Sequence, residues 1–297
     1  MARLMNPLDL VKLSQLMELS SGRPEVVIGL IDGPVAVDQP DLANSNVREI
    51  RGRMSGICTM ANSVACTHGT FVAGILSAKR NSAAPAICPG CTLLVRPIFL
   101  ESAPLSAQMP SATPEELATA ILDCVKAGVC LVNLSAALVQ SSSTGERELG
   151  EALNYAASRG VIIVASAGNQ GNVGSTIITR HPWVIPVVAC DLRGKPLDYS
   201  NLGNSIGRQG LSAPGDKIAS ISTDGQPVTF SGTSAATPFV TGAIALLWSV
   251  FPNATLAEVK LAATQTTAKR RTTVVPPLLD AWEAYQMLHV SFTRRIR

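Results

Sequence analysis

Three side chains of this 297-residue sequence have the types that nucleophilic catalysis needs, namely Ser234, His68 and Asp32. A serine attacks a carbonyl carbon only when a base takes its proton, and a carboxylate must orient that base. Each of the three stands within two residues of a glycine and at the boundary of an apolar run. Their types and settings predict acyl transfer to a serine.

The candidate nucleophile, Ser234, precedes an apolar run that is rich in alanine and glycine. This run predicts a helix over 233–250 that packs closely against a sheet, and Pro238 in its first turns favours a helix start. A serine at a helix N-terminus is often only a cap for its own helix. A catalytic role for Ser234 therefore depends on finding a base and a carboxylate.

His68 is the candidate base among three histidines. It stands in a segment with glycines that predicts a second helix, over 68–78. His181 precedes a proline in a predicted loop, and His289 lies near the C-terminal end of the sequence. Those two positions are typical of surface histidines.

Asp32 is the candidate carboxylate. It follows the continuous apolar run 26–31, which predicts a buried parallel strand. Open α/β sheets place their sites at the carboxyl ends of such strands. The alternative is an ordinary turn aspartate, because Gly33 and Pro34 follow it.

The rest of the chain alternates predicted strands with predicted helices. We expect strands over 92–99, 129–135 and 161–166, helices over 113–127 and 146–159, short strands within 184–231, and a capped helix after 255. Alternation of this kind implies a parallel sheet with right-handed crossovers. The predicted fold class is therefore α/β.

Four segments resemble the signature blocks of the subtilisin-like serine protease family, the subtilases. They are residues 27–33, 68–74, 164–169 and 230–238. They stand in the family's order, and the order Asp, His, Ser along the chain is the one found in subtilisin. The resemblance implies a three-layer sandwich in which helices flank a mainly parallel central sheet.

The resemblance also implies an activity and its residues. It implies a serine endopeptidase with Asp32, His68 and Ser234 as catalytic residues and Asn169 as the side-chain donor of the oxyanion hole. By itself, an asparagine between glycines is most often a turn residue. The residues that the resemblance implies in peptide binding are Ser135, Ala136, Ala137, Ala165 and Ser166, with the loop after Phe99.

The sequence departs from the family's usual pattern near the site. Phe71 replaces the second histidine of the His-Gly-Thr-His block, and Ala235 replaces the methionine after the nucleophile. Residues 133–137 read Asn-Leu-Ser-Ala-Ala where the family commonly ends in Ser-Leu-Gly-Gly. These changes remove no catalytic side chain, but they leave the shape of the substrate pocket open.

Details of two segments, 31–35 and 96–99, resemble bacterial proteases that mature cyanobactin-type precursor peptides. Cleavage of a precursor peptide is therefore one implied role. A general, non-specific endopeptidase and a catalytically inactive, peptide-binding pseudoprotease stay open as alternatives. A nucleotide-binding protein is disfavoured, because no glycine-rich phosphate-binding pattern follows the first strand.

Composition limits the partners and the compartment. The sequence is 46% hydrophobic and 15% charged, which excludes a disordered protein, and its net charge of +3 gives no reason to expect nucleic acid. The expected partner is a peptide or protein substrate. No membrane span and no signal peptide are recognisable in the sequence, so we expect a cytoplasmic location.

Three parts are expected along the chain. Residues 1–22 form an N-terminal helical extension, with apolar residues at the spacing of one amphipathic helix. Residues 23–268 form the peptidase domain. Residues 269–297 form a basic C-terminal extension with a helix.

Seven cysteines cannot all pair with one another. Three lie in or beside predicted core elements, namely Cys124, Cys130 and Cys190. The Cys88-x-x-Cys91 motif lacks the second ligand pair of a zinc site. The favoured interpretation is a local disulfide there, or a pairing of Cys58 or Cys66 with this turn.

No cofactor is expected. Calcium is common in the family, and Asp38 and Asp41 could contribute ligands. A calcium site needs six to eight oxygens, however, and two aspartates in one turn are usually turn formers. We therefore predict that calcium is not required.

Overall fold

The computed structural model describes residues 6–43, 45–50, 55–60, 62–101, 112–135, 143–264 and 273–296. Its strands are β1 Val27–Asp32, β2 Val47–Glu49, β3 Thr92–Pro97, β4 Leu131–Leu134, β5 Ile162–Ser166, β6 Val184–Cys190, β7 Leu211–Pro214, β8 Ile218–Ile221 and β9 Pro227–Phe230. Its helices are α1 Pro7–Leu10, α2 Leu13–Leu19, α3 Val64–Ser77, α4 Pro114–Lys126, α5 Ser143–Ser158, α6 Ile177–Arg180, α7 Asn204–Gln209, α8 Thr233–Val250, α9 Leu256–Thr264 and α10 Ala281–Ile296.

The first seven strands form one parallel sheet in the order β2-β3-β1-β4-β5-β6-β7. Strand β1 lies between β3 and β4, with Asp32 opposite Pro97 and Ile31 opposite Leu134. The chain fills the sheet on one side of β1 and then continues on the other, so the winding reverses at β1. Ligands of open α/β sheets bind at the carboxyl ends of strands at such a reversal.

Two apolar cores cover the two faces of the sheet. Because side chains of a strand alternate between faces, Ile28 and Leu30 of β1 join the core that includes α3 and α8, and Ile31 joins the core under α4 and α5. Helices on both faces give three layers. The predicted α/β fold with a mainly parallel central sheet is confirmed.

Helix α8 is the central helix of one face, and nearly all of its residues are buried. Gly242 allows the close approach, since a Cβ there would lie 2.5 Å from Cγ2 of Ile87. Among the described helices, α8 is long and apolar enough to cross a membrane, but 83% of it is buried inside the protein. Because most of it is buried inside the protein, α8 is a core helix of the fold.

Pro238 corrects one detail of the prediction for this helix. It is the sixth residue of α8 rather than part of the helix start. A proline in a helix leaves the carbonyl four residues earlier without its helical donor. Here that carbonyl belongs to Ser234, and the hydroxyl of Ser135 donates to it at 3.4 Å.

The N-terminal segment is not one helix, as predicted, but two. Lys12 has a left-handed backbone (φ 54°) that separates α1 from α2. Its ammonium group forms an ion pair with Asp280, while the Ala281 N–H donates to the Val11 carbonyl at 3.0 Å. Contacts with the start of α10 thus fix the break between the helices. The predicted domain boundaries at 22 and 268 stay predictions.

Helix α3 begins earlier than the sequence predicted, at Val64 rather than at 68. The extra turn is stabilised by tertiary contacts, because Ala65 is fully buried and Cys66 forms a disulfide with Cys58. His68 consequently lies in the second turn of α3 instead of at its start.

The favoured cysteine pairing was wrong. Cys58 pairs with Cys66, with 5.7 Å between their Cα atoms, whereas Cys88 and Cys91 are free and buried. Cys91 faces α8, where its Sγ lies 3.9 Å from the Ser249 hydroxyl. The predicted cytoplasmic location stays a prediction.

We expect the remaining thiols to be unreactive in the folded protein because they are buried or half-buried, and this includes Cys91, whose pKa is lowered by its hydrogen bond with Cys88. Burial raises the pKa of Cys124 to about 12, of Cys130 to about 11 and of Cys190 to about 12, which keeps them protonated at neutral pH. We expect iodoacetamide to modify none of the five free cysteines in the native protein and all five after denaturation. Intact-mass spectrometry checks this. Modification of all seven without a reductant would show that the Cys58–Cys66 bridge is absent.

Candidate active site

Asp32 ends β1 on the face that α3 and α8 cover, as the alternation from Ile28 and Leu30 requires. Its side chain is completely buried. Oδ1 accepts from the Gly33 N–H at 2.6 Å and lies 2.7 Å from Nδ1 of His68. Oδ2 is also buried and has no hydrogen-bond partner among the described residues. The carboxylate is thus a desolvated acceptor aimed at the imidazole.

His68 links this carboxylate to the serine. Its side chain is 6% exposed, and Nε2 lies 3.0 Å from Oγ of Ser234. A carboxylate beside Nδ1 favours the tautomer that carries its proton there, which leaves Nε2 as the acceptor. This tautomer can take a proton from the serine hydroxyl.

Two glycines let strand β1 and helix α3 approach closely enough for this contact. A Cβ on Gly33 would lie 1.9 Å from the carbonyl oxygen of Ala65, and one on Gly69 would lie 2.4 Å from the carbonyl oxygens of Gly33 and Pro34. Neither position has room for a side chain. The short Asp32–His68 distance therefore depends on backbone packed against backbone.

Two phenylalanines pack around the imidazole. The ring centroids of Phe71 and Phe230 lie 6.4 and 6.1 Å from that of His68, and the two phenyl rings meet edge to face at 4.9 Å. Phe71 belongs to the helix of the base, and Phe230 ends the strand that leads to Ser234. Phe71, which stands where the family usually has a histidine, thus supplies an aromatic contact beside the base.

Ser234 lies in the first turn of α8, after Gly232, whose φ of 143° suits glycine. Its N–H belongs to the first turn, where a helix offers no acceptor, and it has no partner among the described residues. Asn169 approaches the same helix end, because its Oδ1 accepts from the N–H of Thr233 at 2.9 Å and from the Thr233 hydroxyl at 3.0 Å. Asn169 is thus held beside the residue that precedes the nucleophile, and its role as the side-chain donor of the oxyanion hole stays a prediction.

Sequence reasoning missed the polar contacts behind the nucleophile. Asn133 of β4 accepts from the Thr241 hydroxyl of α8 at 2.8 Å and donates to the Ser135 hydroxyl at 2.8 Å. All three side chains are buried. An asparagine inside the apolar run 129–135 was the available signal, since a buried amide needs polar partners.

The residues implied in peptide binding differ in how deeply they are buried. Ser135 is 4% exposed and donates to the Ser234 carbonyl. Ala165 is 1% exposed in the core under α4 and α5, and Ser166 is half-buried at the end of β5. Ala136 and Ala137 lie outside the described residues, as does most of the loop after Phe99. Their roles in binding stay predictions.

The other two histidines lie on different elements. His181 follows α6, where its Nε2 lies 3.1 Å from Oδ1 of Asn154. Burial is the larger cause that lowers the pKa of His181, and the nearby positive charge of Lys260 is the smaller one. His181 is half-buried rather than on the surface. His289 is exposed on α10 and stacks on the ring of Tyr285.

In the part of the chain that the structure describes, one group of three potential metal ligands lies close together, namely Cys58, Cys66 and Glu101. Two of its members form the disulfide and offer no thiolate. Asp38 is exposed, and Asp41 is half-buried in a turn. The expectation that no calcium is required stays a prediction.

Comparison with known proteins identifies the family. The model of the subtilase family matches residues 23–282. The chain belongs to the subtilase family. This confirms the resemblance found in the four sequence blocks, and it agrees with the Asp32, His68 and Ser234 arrangement described above.

Individual subtilases are similar over much of the chain. A thermostable alkaline protease of Halalkalibacterium halodurans is 31% identical over 200 residues, which is 67% of this chain and 52% of that protein. The solved structure of the prenylagaramide maturation protease PagA is 27% identical, with a TM-score of 0.78, and covers 93% of this chain and 98% of its own. That of the patellamide maturation protease PatA is 28% identical, with a TM-score of 0.72, over 91% and 98%. The chain thus spans about half the length of the alkaline protease.

We expect Gly69→Ala to destabilise this subtilase by about 1–3 kcal/mol or more, because the added methyl group meets two backbone carbonyls that cannot rotate away. Urea unfolding measures the change. Gly174→Ala is the matched control, since nothing lies within 4 Å of a Cβ at that position. Equal unfolding free energies for the two variants would contradict the account of the β1–α3 contact.

Proposed function

We propose that this subtilase is a serine endopeptidase that hydrolyses peptide bonds through an acyl-enzyme on Ser234. The observation that carries the proposal is the unbroken chain of contacts from Asp32 through His68 to Ser234, at 2.7 and 3.0 Å. An isolated helix cap would need no base at 3.0 Å from its hydroxyl. The family match makes peptide hydrolysis the expected use of these contacts.

In the first half of the proposed reaction, Ser234 Oγ attacks the carbonyl carbon of the scissile bond while His68 Nε2 takes the hydroxyl proton. Negative charge then develops on the carbonyl oxygen, beside the Asn169 amide group and the Ser234 N–H. Asp32 stabilises the imidazolium that forms. His68 next gives its proton to the leaving amine, and the peptide bond breaks.

In the second half, a water molecule gives a proton to His68 Nε2 and attacks the acyl carbon. The same two donors stabilise the second tetrahedral intermediate, and the proton returns to Ser234 as the carboxylic acid leaves. Apart from the substrate and the water molecule, every group in this scheme belongs to the chain. We therefore propose that the reaction needs no metal ion or other cofactor.

A fluorophosphonate probe tests the chemistry, because it reacts with activated serines. We expect the wild type to be labelled and Ser234→Ala to be unlabelled. Ser231→Ala is the matched control and should keep the label, since it removes an exposed serine three residues away. A folded wild type that takes no label would overturn the proposal and favour the alternative of an inactive peptide-binding protein.

We further propose that the substrate is a precursor peptide cut in one sequence context. The support is the similarity to two maturation proteases, PagA and PatA, which extends over more than nine tenths of the chain. The alternative is a general endopeptidase, as the similarity to the alkaline protease suggests. The reaction is the same in both cases, so only the range of cleaved sequences separates them.

A proteome-derived peptide library distinguishes the two roles. The protein is incubated with the library, and cleavage sites are mapped by mass spectrometry with Ser234→Ala as the blank. A maturation protease should cut few peptides, all in one context. Frequent cleavage after many residue types would rule out the maturation role and leave the general endopeptidase.

A further inference from the structure

The Asn169 side chain depends on an exposed loop for its position. Residues 169–174, between β5 and α6, are exposed to solvent, and Gly168 and Gly171 have positive φ angles of 104° and 66°. A cavity of about 210 Å³ adjoins the loop and is lined partly by Asn172 and Gly174. Apolar packing therefore gives this loop little support.

Hydrogen bonds from residues 199–202 support the loop instead. Four of them join main-chain atoms: Gly171 N to Tyr199 O at 2.7 Å, Asn201 N to Gly168 O at 2.9 Å, Leu202 N to Asn172 O at 2.9 Å, and Gly174 N to Leu202 O at 2.8 Å. These bonds do not depend on side-chain identity. They hold the two segments side by side.

The Asn201 side chain adds contacts on both sides of Asn169. Its Oδ1 accepts from the N–H groups of Gln170 and Asn172 at 3.1 and 3.0 Å. Its Nδ2 donates to the Ala167 carbonyl at 3.2 Å and to the Gln170 side chain at 2.7 Å. A primary amide offers two donor hydrogens and two acceptor lone pairs, so its whole capacity is used within this one loop.

Close packing accompanies these bonds. A Cβ on Gly168 would lie 2.3 Å from Nδ2 of Asn201, so the residue before Asn169 must be glycine for the amide to reach the loop. Among the described residues, no other side chain contacts the loop on both sides of Asn169 through hydrogen bonds. The Thr233 hydroxyl also accepts from the Gly168 N–H at 3.3 Å, so Asn201 and Thr233 both fix the backbone from which Asn169 projects, and Asn201 does so on both sides of it.

We propose that Asn201 is a positioning residue of the active site, which holds the 167–172 loop so that the Asn169 amide stabilises the oxyanion. This inference rests on the proposed function, in which Asn169 is the oxyanion donor. Catalysis is sensitive to such positioning, because a misplacement of about 1 Å costs on the order of 100-fold in rate. None of the Asn201 side-chain contacts described above involves Asp32, His68 or Ser234, so Asn201 acts through Asn169.

Asn201→Ala tests the role, with hydrolysis of a chromogenic peptide ester as the assay. We expect kcat to fall about 10- to 100-fold with KM nearly unchanged, because the donor acts in the transition state rather than in binding. Asn172→Ala is the matched control, since it removes an exposed amide from the same loop and no described residue bonds to that side chain. It should retain wild-type kcat within about twofold.

A double mutant separates positioning from general support of the fold. Loss of the equivalent donor in subtilisin costs about 10²–10³ in kcat, and we expect a similar loss for Asn169→Ala. If Asn201 acts through Asn169, Asn169→Ala/Asn201→Ala is no slower than Asn169→Ala alone. Losses that multiply, or an Asn201→Ala enzyme as fast as the control, would overturn the inference.

Folding and the proposed function are checked separately. The melting temperature of each variant shows whether it is folded, and Asn201→Asp replaces Asn201→Ala if the latter unfolds, since it keeps both acceptor bonds and loses both donor bonds. The same kcat and double-mutant criteria then apply to it. A wild type without probe labelling would reject the serine-protease proposal, whereas normal labelling with an unimpaired Asn201 variant would reject only this inference.

Discussion

The hydrogen bond between Asp32 and His68 is the contact on which the rest of the site depends. It joins a completely buried carboxylate to an almost buried imidazole at 2.7 Å. Removing the imidazole would leave the buried carboxylate without this donor, and an unpaired buried polar group costs about 1–3 kcal/mol, or more when it is charged. The Asp32–His68 hydrogen bond forms only because strand β1 and helix α3 come very close. Gly33 and Gly69 make that approach possible.

The nucleophile is held by a second set of contacts that converge on the start of α8. Thr233 binds Asn169, the Ser234 carbonyl accepts from Ser135, and Pro238 removes the helical donor that would otherwise occupy that carbonyl. The helix start is thereby tied to the ends of β4 and β5. Base and nucleophile are thus held by separate sets of contacts, and the Phe71–Phe230 contact joins the helix of the base to the strand before the nucleophile.

Much of the fold could be predicted from local patterns, because continuous apolar runs marked the buried strands and the Thr113–Glu116 pair marked the start of α4 through a capping box. The four family blocks located Asp32, His68, Ser234 and Asn169, which the structure brings together. What failed depended on tertiary contacts that local sequence patterns do not show. The early start of α3, the Cys58–Cys66 bridge and the break at Lys12 each depend on a tertiary partner. The support that Asn201 gives the 167–172 loop was likewise invisible, since no spacing rule links the two segments.

The central claim is that one hydroxyl, one imidazole and two donors surround a single reacting centre. A crystal structure of the protein after reaction with a fluorophosphonate tests it most directly. The account expects phosphorus bonded to Ser234 Oγ, with the phosphonyl oxygen about 3 Å from both the Ser234 nitrogen and the Asn169 amide nitrogen. A phosphonate attached to another residue, or one whose oxygen turns away from both donors, would contradict it.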